Sequence, residues 1–270
     1  MGRIKLTVAY DGTNYHGWQL QPGRATIEGE LNKALSHLTG EQACVTGASR
    51  TDAGVHALGN VAVFDTVSRI PAEKFSYALN QRLPEDIVIQ CSEKVPEDFH
   101  PRHCECQKIY EYTILNRKFP LPQYRNTAYF YYGKLDINKM RSACKAFIGE
   151  HDFAGFCSAG AQVQSTVRTI YSLEIQEEKI QEPGMCIMEN QEYGDDMVNT
   201  GRIITIRVKG NGFLYNMVRI IAGTLLEAGK GRINSEDMEE IIASCDRSRA
   251  GATAPARGLK LVQIYYGIQE

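Results

Sequence analysis

Residues 46 to 57, Thr-Gly-Ala-Ser-Arg-Thr-Asp-Ala-Gly-Val-His-Ala, set one carboxylate, one guanidinium and two glycines into a turn between two apolar segments. Gly47 and Gly54 can adopt positive φ and admit another backbone at close range, whereas a connecting loop more often carries Ser, Asn and Pro. Such a turn presents Asp52 as a side chain available for chemistry. A turn in which Arg50, Thr51 and Asp52 merely cap and ion-pair two strand ends fits the same residues.

Two distant side chains complete a site with that carboxylate. Tyr110 lies in Lys108-Ile109-Tyr110-Glu111-Tyr112-Thr113-Ile114, where strand alternation puts Tyr110, Tyr112 and Ile114 on one face. There a tyrosine either offers a flat surface to a nucleobase or fills a core. Arg219 closes Gly212-Phe213-Leu214-Tyr215-Asn216-Met217-Val218-Arg219, on a helix whose Leu214, Met217, Val218, Ile221 and Leu225 form a broad apolar side. A charge in that setting needs a partner. Asp52 is the candidate, and any local carboxylate is the alternative; a pair with Asp52 would lower its pKa and keep it ionised.

Other chemistries are weaker in the residues. Asp11, Asp52 and His56 would suit a metal-assisted phosphodiesterase or nuclease, but no clustered carboxylate pair accompanies them. His100, His103, Cys104 and Cys106 form the one cluster with zinc-ligand character, and the second, separated pair typical of structural zinc is missing. His151 and Asp152 are adjacent on irregular chain and suit a cap or turn. With neither a P-loop nor a dinucleotide fingerprint, no cofactor and no metal is predicted.

These residues need elements to position them. Ile4, Leu6, Val8 and Tyr10 alternate with polar residues, the period of a half-buried strand ending at Asp11-Gly12. An aromatic loop from 13 to 24, holding Tyr15, His16 and Trp18, is either a lid packed on itself or a ligand surface. Thr26 caps a predicted helix running to Gly40 through Ile27, Leu31, Ala34, Leu35 and Leu38. A short strand near 43–46, a strand through Val61, Val63 and Asp65, a helix from Pro71 to Leu83-Pro84 and a strand at 87–91 follow. That order, βαββαβ, is ferredoxin-like.

A second such half is predicted from a strand at 108–115, a helix at 136–148 capped by Asp136 and stopped by Gly149, and strands at 167–175 and 203–209. A helix from about Leu214 to Ala228 and a strand at 260–266 complete it, with an extra helix opening at Asn234 or Ser235. The predicted fold is therefore α+β: two fused ferredoxin-like halves, 1–104 with the Asp52 loop and 105–270 with Tyr110 and Arg219. Their mainly antiparallel sheets would join and leave a central cleft. Residues 177 to 202 lack periodicity and read as an acidic hairpin excursion.

Composition sets the outer bounds. With 43% hydrophobic residues in 270, the chain can bury a full core. No apolar run approaches bilayer length, and Met-Gly-Arg-Ile-Lys-Leu leads into a strand and not a signal-peptide core, so a cytoplasmic location is expected. Eight scattered cysteines without a C-x-x-C pair read as reduced thiols. The net charge of -2 hides an asymmetry: residues 174–196 carry eight acids against Lys179, so the remainder is +5 and can face a polyanion.

The string GASRTDAGVHA resembles the GRTDAGVHA signature of the tRNA pseudouridine synthases of the TruA type. YDGTNYHGWQLQPG, TIEGEL, KIYEYTI, HDFAGF, NGFLYNMVRIIAG and TAPARGLKLV follow in that family's order, so the likeness spans nearly the whole chain. Ser49 stands where the family usually has Gly, Ala252 where it usually has Pro, and 177–202 is longer than usual.

The resemblance implies an isomerase that converts uridine to pseudouridine at nucleotides 38, 39 and 40 of the tRNA anticodon arm. It makes Asp52 the catalytic carboxylate, Arg219 its ion-pair partner and Arg50 the residue that draws the nucleotide out. Tyr110 stacks on the target base and Leu259 borders it. A homodimer with tRNA across both subunits is implied, with no cofactor. Whether Asp52 attacks the ribose, adds to the base or removes a ribose proton stays open. So does the rival of a non-catalytic RNA-binding protein, which the absence of the aromatic RNA-recognition motif disfavours.

Overall fold

The computed structural model describes residues 2–160, 163–180 and 201–267. Most of the predicted acidic excursion, 181–200, lies outside the described residues; Glu177 to Lys179 close one strand and Arg202 opens the next. Among the described residues the fold is α+β, with ten strands in mainly antiparallel pairings and five α-helices. No described helix is long and apolar enough to cross a membrane.

The chain divides into two compact units. Unit one comprises Met1–Tyr110, Lys209–Gly212 and Leu259–Glu270, and unit two comprises Glu111–Val208 and Phe213–Gly258. Unit one holds β1 (Gly2–Tyr10), α1 (Ile27–Thr39), β2 (Thr46–Gly47), β3 (His56–Thr66), α2 (Phe75–Asn80) and β4 (Ile87–Val95). The first residues of β5 (Cys106–Asn116) belong to it as well.

Its strand order is β4-β1-β3, with β2 antiparallel on β3. The last strand, Leu259–Tyr266, runs parallel to β3 and sets Lys260 opposite His56. Alternation in β1 buries Ile4, Leu6, Val8 and Tyr10. The β1–β3 register pairs Val8 with Asn60 and then slips, so that Tyr10 faces Ala57; such a bulge re-aims the side chains beyond it.

Helix α1 has the predicted ends. Thr26 Oγ1 accepts from Gly29 N at 3.2 Å, and Gly40 at φ 74° takes the left-handed conformation that stops the helix. The second helix is shorter than its sequence pattern: Pro71 opens a single 3-10 turn before α2, which ends at Asn80. There the Asn80 side chain leaves the helix surface to bond both the N–H and the carbonyl of Ile89.

Unit two holds the end of β5, β6 (Tyr129–Tyr131), α3 (Ile137–Cys144), β7 (Gly149–Asp152), β8 (Val167–Lys179), β9 (Arg202–Gly210, to Val208), α4 (Met217–Gly229) and α5 (Met238–Ala243). Asp136 caps α3 as predicted, accepting from Asn138 N and Lys139 N. The helix tightens into a 3-10 turn at Lys145–Phe147 and ends where Ile148 turns extended, and Gly149, the predicted stop, opens β7 at φ 112°. Strands β6 and β7 were not legible, being three and four residues long without apolar alternation. Helix α4 starts three residues later than Leu214, because Asn216 sits at φ 62°, where a right-handed helix cannot continue. Eleven of its thirteen residues are buried.

Candidate functional site

The signature turn in unit one is irregular backbone, and its polar groups find partners in the aromatic loop. Trp18 N donates to Thr51 O at 3.0 Å, Gly54 N to Tyr15 O at 3.3 Å, and Val55 N closes the turn on Asp52 O at 3.1 Å. Gly54 takes φ 76°, as its sequence context predicts. Gly47 is required for a different reason: a Cβ there would lie 2.3 Å from the Trp18 ring. Trp18 is 2% exposed and its ring centroid is 6.0 Å from that of Tyr10. Of the two readings of the aromatic loop, its buried half is therefore scaffold for the turn, while His16 and Gln19 to Arg24 stay exposed.

Beneath the turn is a polar network that the sequence did not announce. Asn60, fully buried on β3, donates through Nδ2 to Ser49 O at 3.0 Å and to Tyr10 Oη at 3.2 Å. Tyr10 Oη lies 2.7 Å from Thr51 Oγ1. Tyr10 accepts from Asn60, and either hydroxyl of the Tyr10–Thr51 pair can donate to the other, Thr51 being the residue before Asp52. Burial holds the Tyr10 phenol well above its ordinary pKa, so it remains neutral, with Thr51 and Asn60 acting in the other direction.

Asp52 itself is half-buried, between buried Thr51 and exposed Ala53. Tyr110 is 8% exposed, and its phenol is pushed up to about 12, first by burial and also by the negative charge of Asp52; Ser49 opposes the shift. The Ser49 hydroxyl is enclosed without a hydrogen bond of regular geometry, although it faces that phenol. Lys108 Nζ donates to Ala48 O at 3.1 Å, tying the start of β5 to the turn. Arg50 is exposed, and Leu259 is buried where the last strand meets the beginning of β3. Unit one thus brings Asp52 and Tyr110 within electrostatic reach, with Arg50 in the same turn.

Arg219 belongs to unit two, in the first turn of α4. Its Nε donates to Ala254 O at 2.8 Å and its Nη1 to Asn216 Oδ1 at 2.6 Å, while Ala254 N returns a bond to Arg219 O at 3.1 Å. The arginine therefore clamps the TAPARG stretch. Tyr112 fills the core completely and donates to Pro255 O at 2.9 Å; burial drives its phenol far up against the opposing charges of Arg219 and Arg257. Asp152 accepts from Ala154 N at 3.0 Å, the turn role expected of it.

His56 Nδ1 accepts from Gly12 N at 3.1 Å and lies 3.0 Å from Asp11 Oδ1. Burial alone would raise the Asp11 carboxyl, but the hydrogen bonds from Thr13 together with His56 outweigh it and hold the group below its usual range. Among the described residues no three His, Cys, Asp or Glu side chains converge on a point that could hold a metal ion. The nuclease reading of Asp11, Asp52 and His56 has no ligand set there.

Residues 6–103 and 143–267 match the family model described as tRNA pseudouridine synthase. The chain belongs to that family. It is 49% identical over 266 residues to the tRNA pseudouridine synthase A of Ruminiclostridium cellulolyticum, covering 98% of this chain and 100% of the relative. The proteins of the same name from Acetivibrio thermocellus and a Thermoanaerobacter species are 45% and 44% identical, with the same coverage. Membership of the synthase family makes the protein an isomerase acting on uridine in tRNA.

Proposed function

We propose that the protein converts uridine to pseudouridine at nucleotides 38, 39 and 40 of the tRNA anticodon stem-loop, with Asp52 as the catalytic carboxylate. The observation that carries this reading is the half-buried Asp52 carboxylate acting on the enclosed Tyr110 phenol, on a turn anchored by Trp18, Tyr15 and Asn60. The glycosidic N1–C1′ bond breaks, the uracil turns, and C5 joins C1′; the C5 proton passes to water and N1 takes up a proton from water in its place. Substrate and product have the same composition, so no redox or phosphoryl donor is consumed.

Each remaining residue has a task in this scheme. Tyr110 stacks on the uracil and Leu259 borders it, keeping the detached base from diffusing. Arg50, exposed beside Asp52, takes the place of the extruded nucleotide, offsetting the few kcal/mol that unstacking costs. The assignment of Arg219 as counter-ion of Asp52 is carried by the family resemblance. The reading of 1–104 and 105–270 as two ferredoxin-like halves belongs to the same proposal, supported by the βαββαβ order and the β4-β1-β3 arrangement with β2 on β3. So do a homodimer and a cytoplasmic location.

The test is Asp52→Ala assayed on tRNA transcripts tritiated at uridine C5. Binding is expected to persist while tritium release is abolished, and in the wild type the released label should map to nucleotides 38, 39 and 40. Undiminished product from the variant removes Asp52 from the mechanism.

A further inference from the structure

The start of α4 gives up stability at three points, and all three concern one guanidinium. Asn216, the residue before the helix, sits at φ 62° and ψ 5°, one of two non-glycine residues at positive φ among the described residues. That left-handed backbone is costly for any residue with a Cβ, and asparagine tolerates it better than most. An asparagine in this place ordinarily accepts from a backbone N–H of the first turn, yet here no such bond is made. Arg219, the third residue of α4, then sets a cation at the positive end of the helix dipole, where a carboxylate is preferred.

The Asn216 amide has other partners. Its Oδ1 accepts from Arg219 Nη1 at 2.6 Å, and its Nδ2 donates to Ser158 Oγ at 2.9 Å. Ser158 is itself anchored. Its N–H donates to Tyr215 O at 3.1 Å, and it follows the 3-10 turn Ala154–Phe156, whose Phe156 ring is buried against Phe147 and Phe153. Arg219 Nε donates to Ala254 O at 2.8 Å. All of these atoms belong to unit two. A planar guanidinium bonded at Nε and Nη1 to two separate acceptors has its plane set by them.

A hydrogen bond from a cation to an amide oxygen is stronger than one between neutral groups, and it opposes the local losses. Backbone strain, a forgone cap and a cation against the dipole nevertheless all weaken the start of the helix, and outliers of this kind collect where a reacting group must be held.

We propose that Asn216 is a positioning residue of the reaction: its amide, on a left-handed backbone and braced by Ser158, sets the plane of the Arg219 guanidinium. The proposal rests on the reading of Arg219 as counter-ion of Asp52 and deepens it, since a planar, directional donor serves a carboxylate only in the right orientation.

Asn216→Gly and Asn216→Ala are compared with the wild type, and Asn216→Gly is combined with Arg219→Lys, by tritium release over a range of pH and by thermal denaturation. Glycine adopts this backbone without strain, so Asn216→Gly removes the amide and keeps the turn. It is expected to hold Tm within about 4 °C of wild type, to lower kcat about tenfold and to leave KM within about twofold. Asn216→Ala should show the same kcat loss with a lower Tm, because alanine is strained there. An ammonium has no plane to set, so beside Arg219→Lys the glycine substitution should change kcat by less than about twofold. A glycine variant with wild-type kcat next to an impaired alanine variant assigns Asn216 to backbone geometry and overturns the proposal. A loss from Asn216→Gly that adds in full to that of Arg219→Lys overturns it as well. An acid limb unmoved in Arg219→Met, with the losses from Asn216→Gly and Arg219→Lys still overlapping, sinks the counter-ion reading and leaves Asn216 placing the guanidinium.

Discussion

Replacing Tyr10 by phenylalanine removes one oxygen from the network under the Asp52 turn and leaves the ring against Trp18. Tyr10 is 5% exposed, and its Oη is shared between Thr51 Oγ1 at 2.7 Å and Asn60 Nδ2 at 3.2 Å. Two buried hydrogen bonds at about 0.5–1.5 kcal/mol each give an expected loss of about 1–3 kcal/mol. A loss of about 2 kcal/mol lowers Tm by about 4–8 °C in a chain of this length. Thr51 directly precedes Asp52, so a loosened turn should lower kcat about tenfold while KM stays within twofold, since small displacements of a reacting group are costly. Calorimetry and steady-state tritium release read the two effects separately. Thr51→Val should reproduce the pattern and Thr51→Ser should not, because only the latter keeps the oxygen. A Tyr10→Phe protein with wild-type Tm and wild-type kcat refutes the claim that this network holds the turn.

Three further outcomes are expected. Gly47→Ala sets a methyl 2.3 Å from the Trp18 ring and should cost about 1–3 kcal/mol, read by denaturant titration; an unchanged midpoint would show that the loop moves freely off the turn. Arg219→Met should shift the acid limb of the pH–rate profile upward, with Arg219→Lys restoring most of it, and a wild-type profile in the methionine variant would dissolve the proposed ion pair. Alkaline stability follows from the enclosed phenols: burial pushes Tyr110 to about 12 and Tyr10 and Tyr112 higher still. Folding favours their neutral forms, so this stability is complete below about pH 10, the unfolded phenol value, and is lost as pH rises toward about 12. Spectrophotometric titration should show these phenols ionising only together with unfolding, and ionisation of all fourteen tyrosines near about pH 10 in the folded protein would contradict it.

Much of the architecture was legible because it depends on near neighbours in the chain. Alternation at Ile4, Leu6, Val8 and Tyr10 specified β1, and Thr26 with Gly40 bounded α1 as read, since capping and strand period are local. Elements of three or four residues, β6 and β7, carry too few side chains for a period to emerge, and their pairing with β5 and β8 is what creates them. The late start of α4 hinged on a left-handed Asn216, a conformation fixed by contacts of its side chain with Ser158 and Arg219.

By itself the sequence determined the turn that presents Asp52, the Gly54 that lets it bend and the family signature around it, all within one stretch of chain. Only the tertiary structure decided what the neighbouring residues are for. Tyr10 read as one more inward strand residue, yet its phenol meets Thr51 forty-one positions away. Asn60 is invisible in any pattern, because its two acceptors come from β1 and from the turn. Gly47 is small for the sake of Trp18, and the Asn216 amide is braced on Ser158, fifty-eight positions back. Hydrogen bonds and close approaches between segments remote in sequence leave no period to read, and they come into being only when the chain has folded.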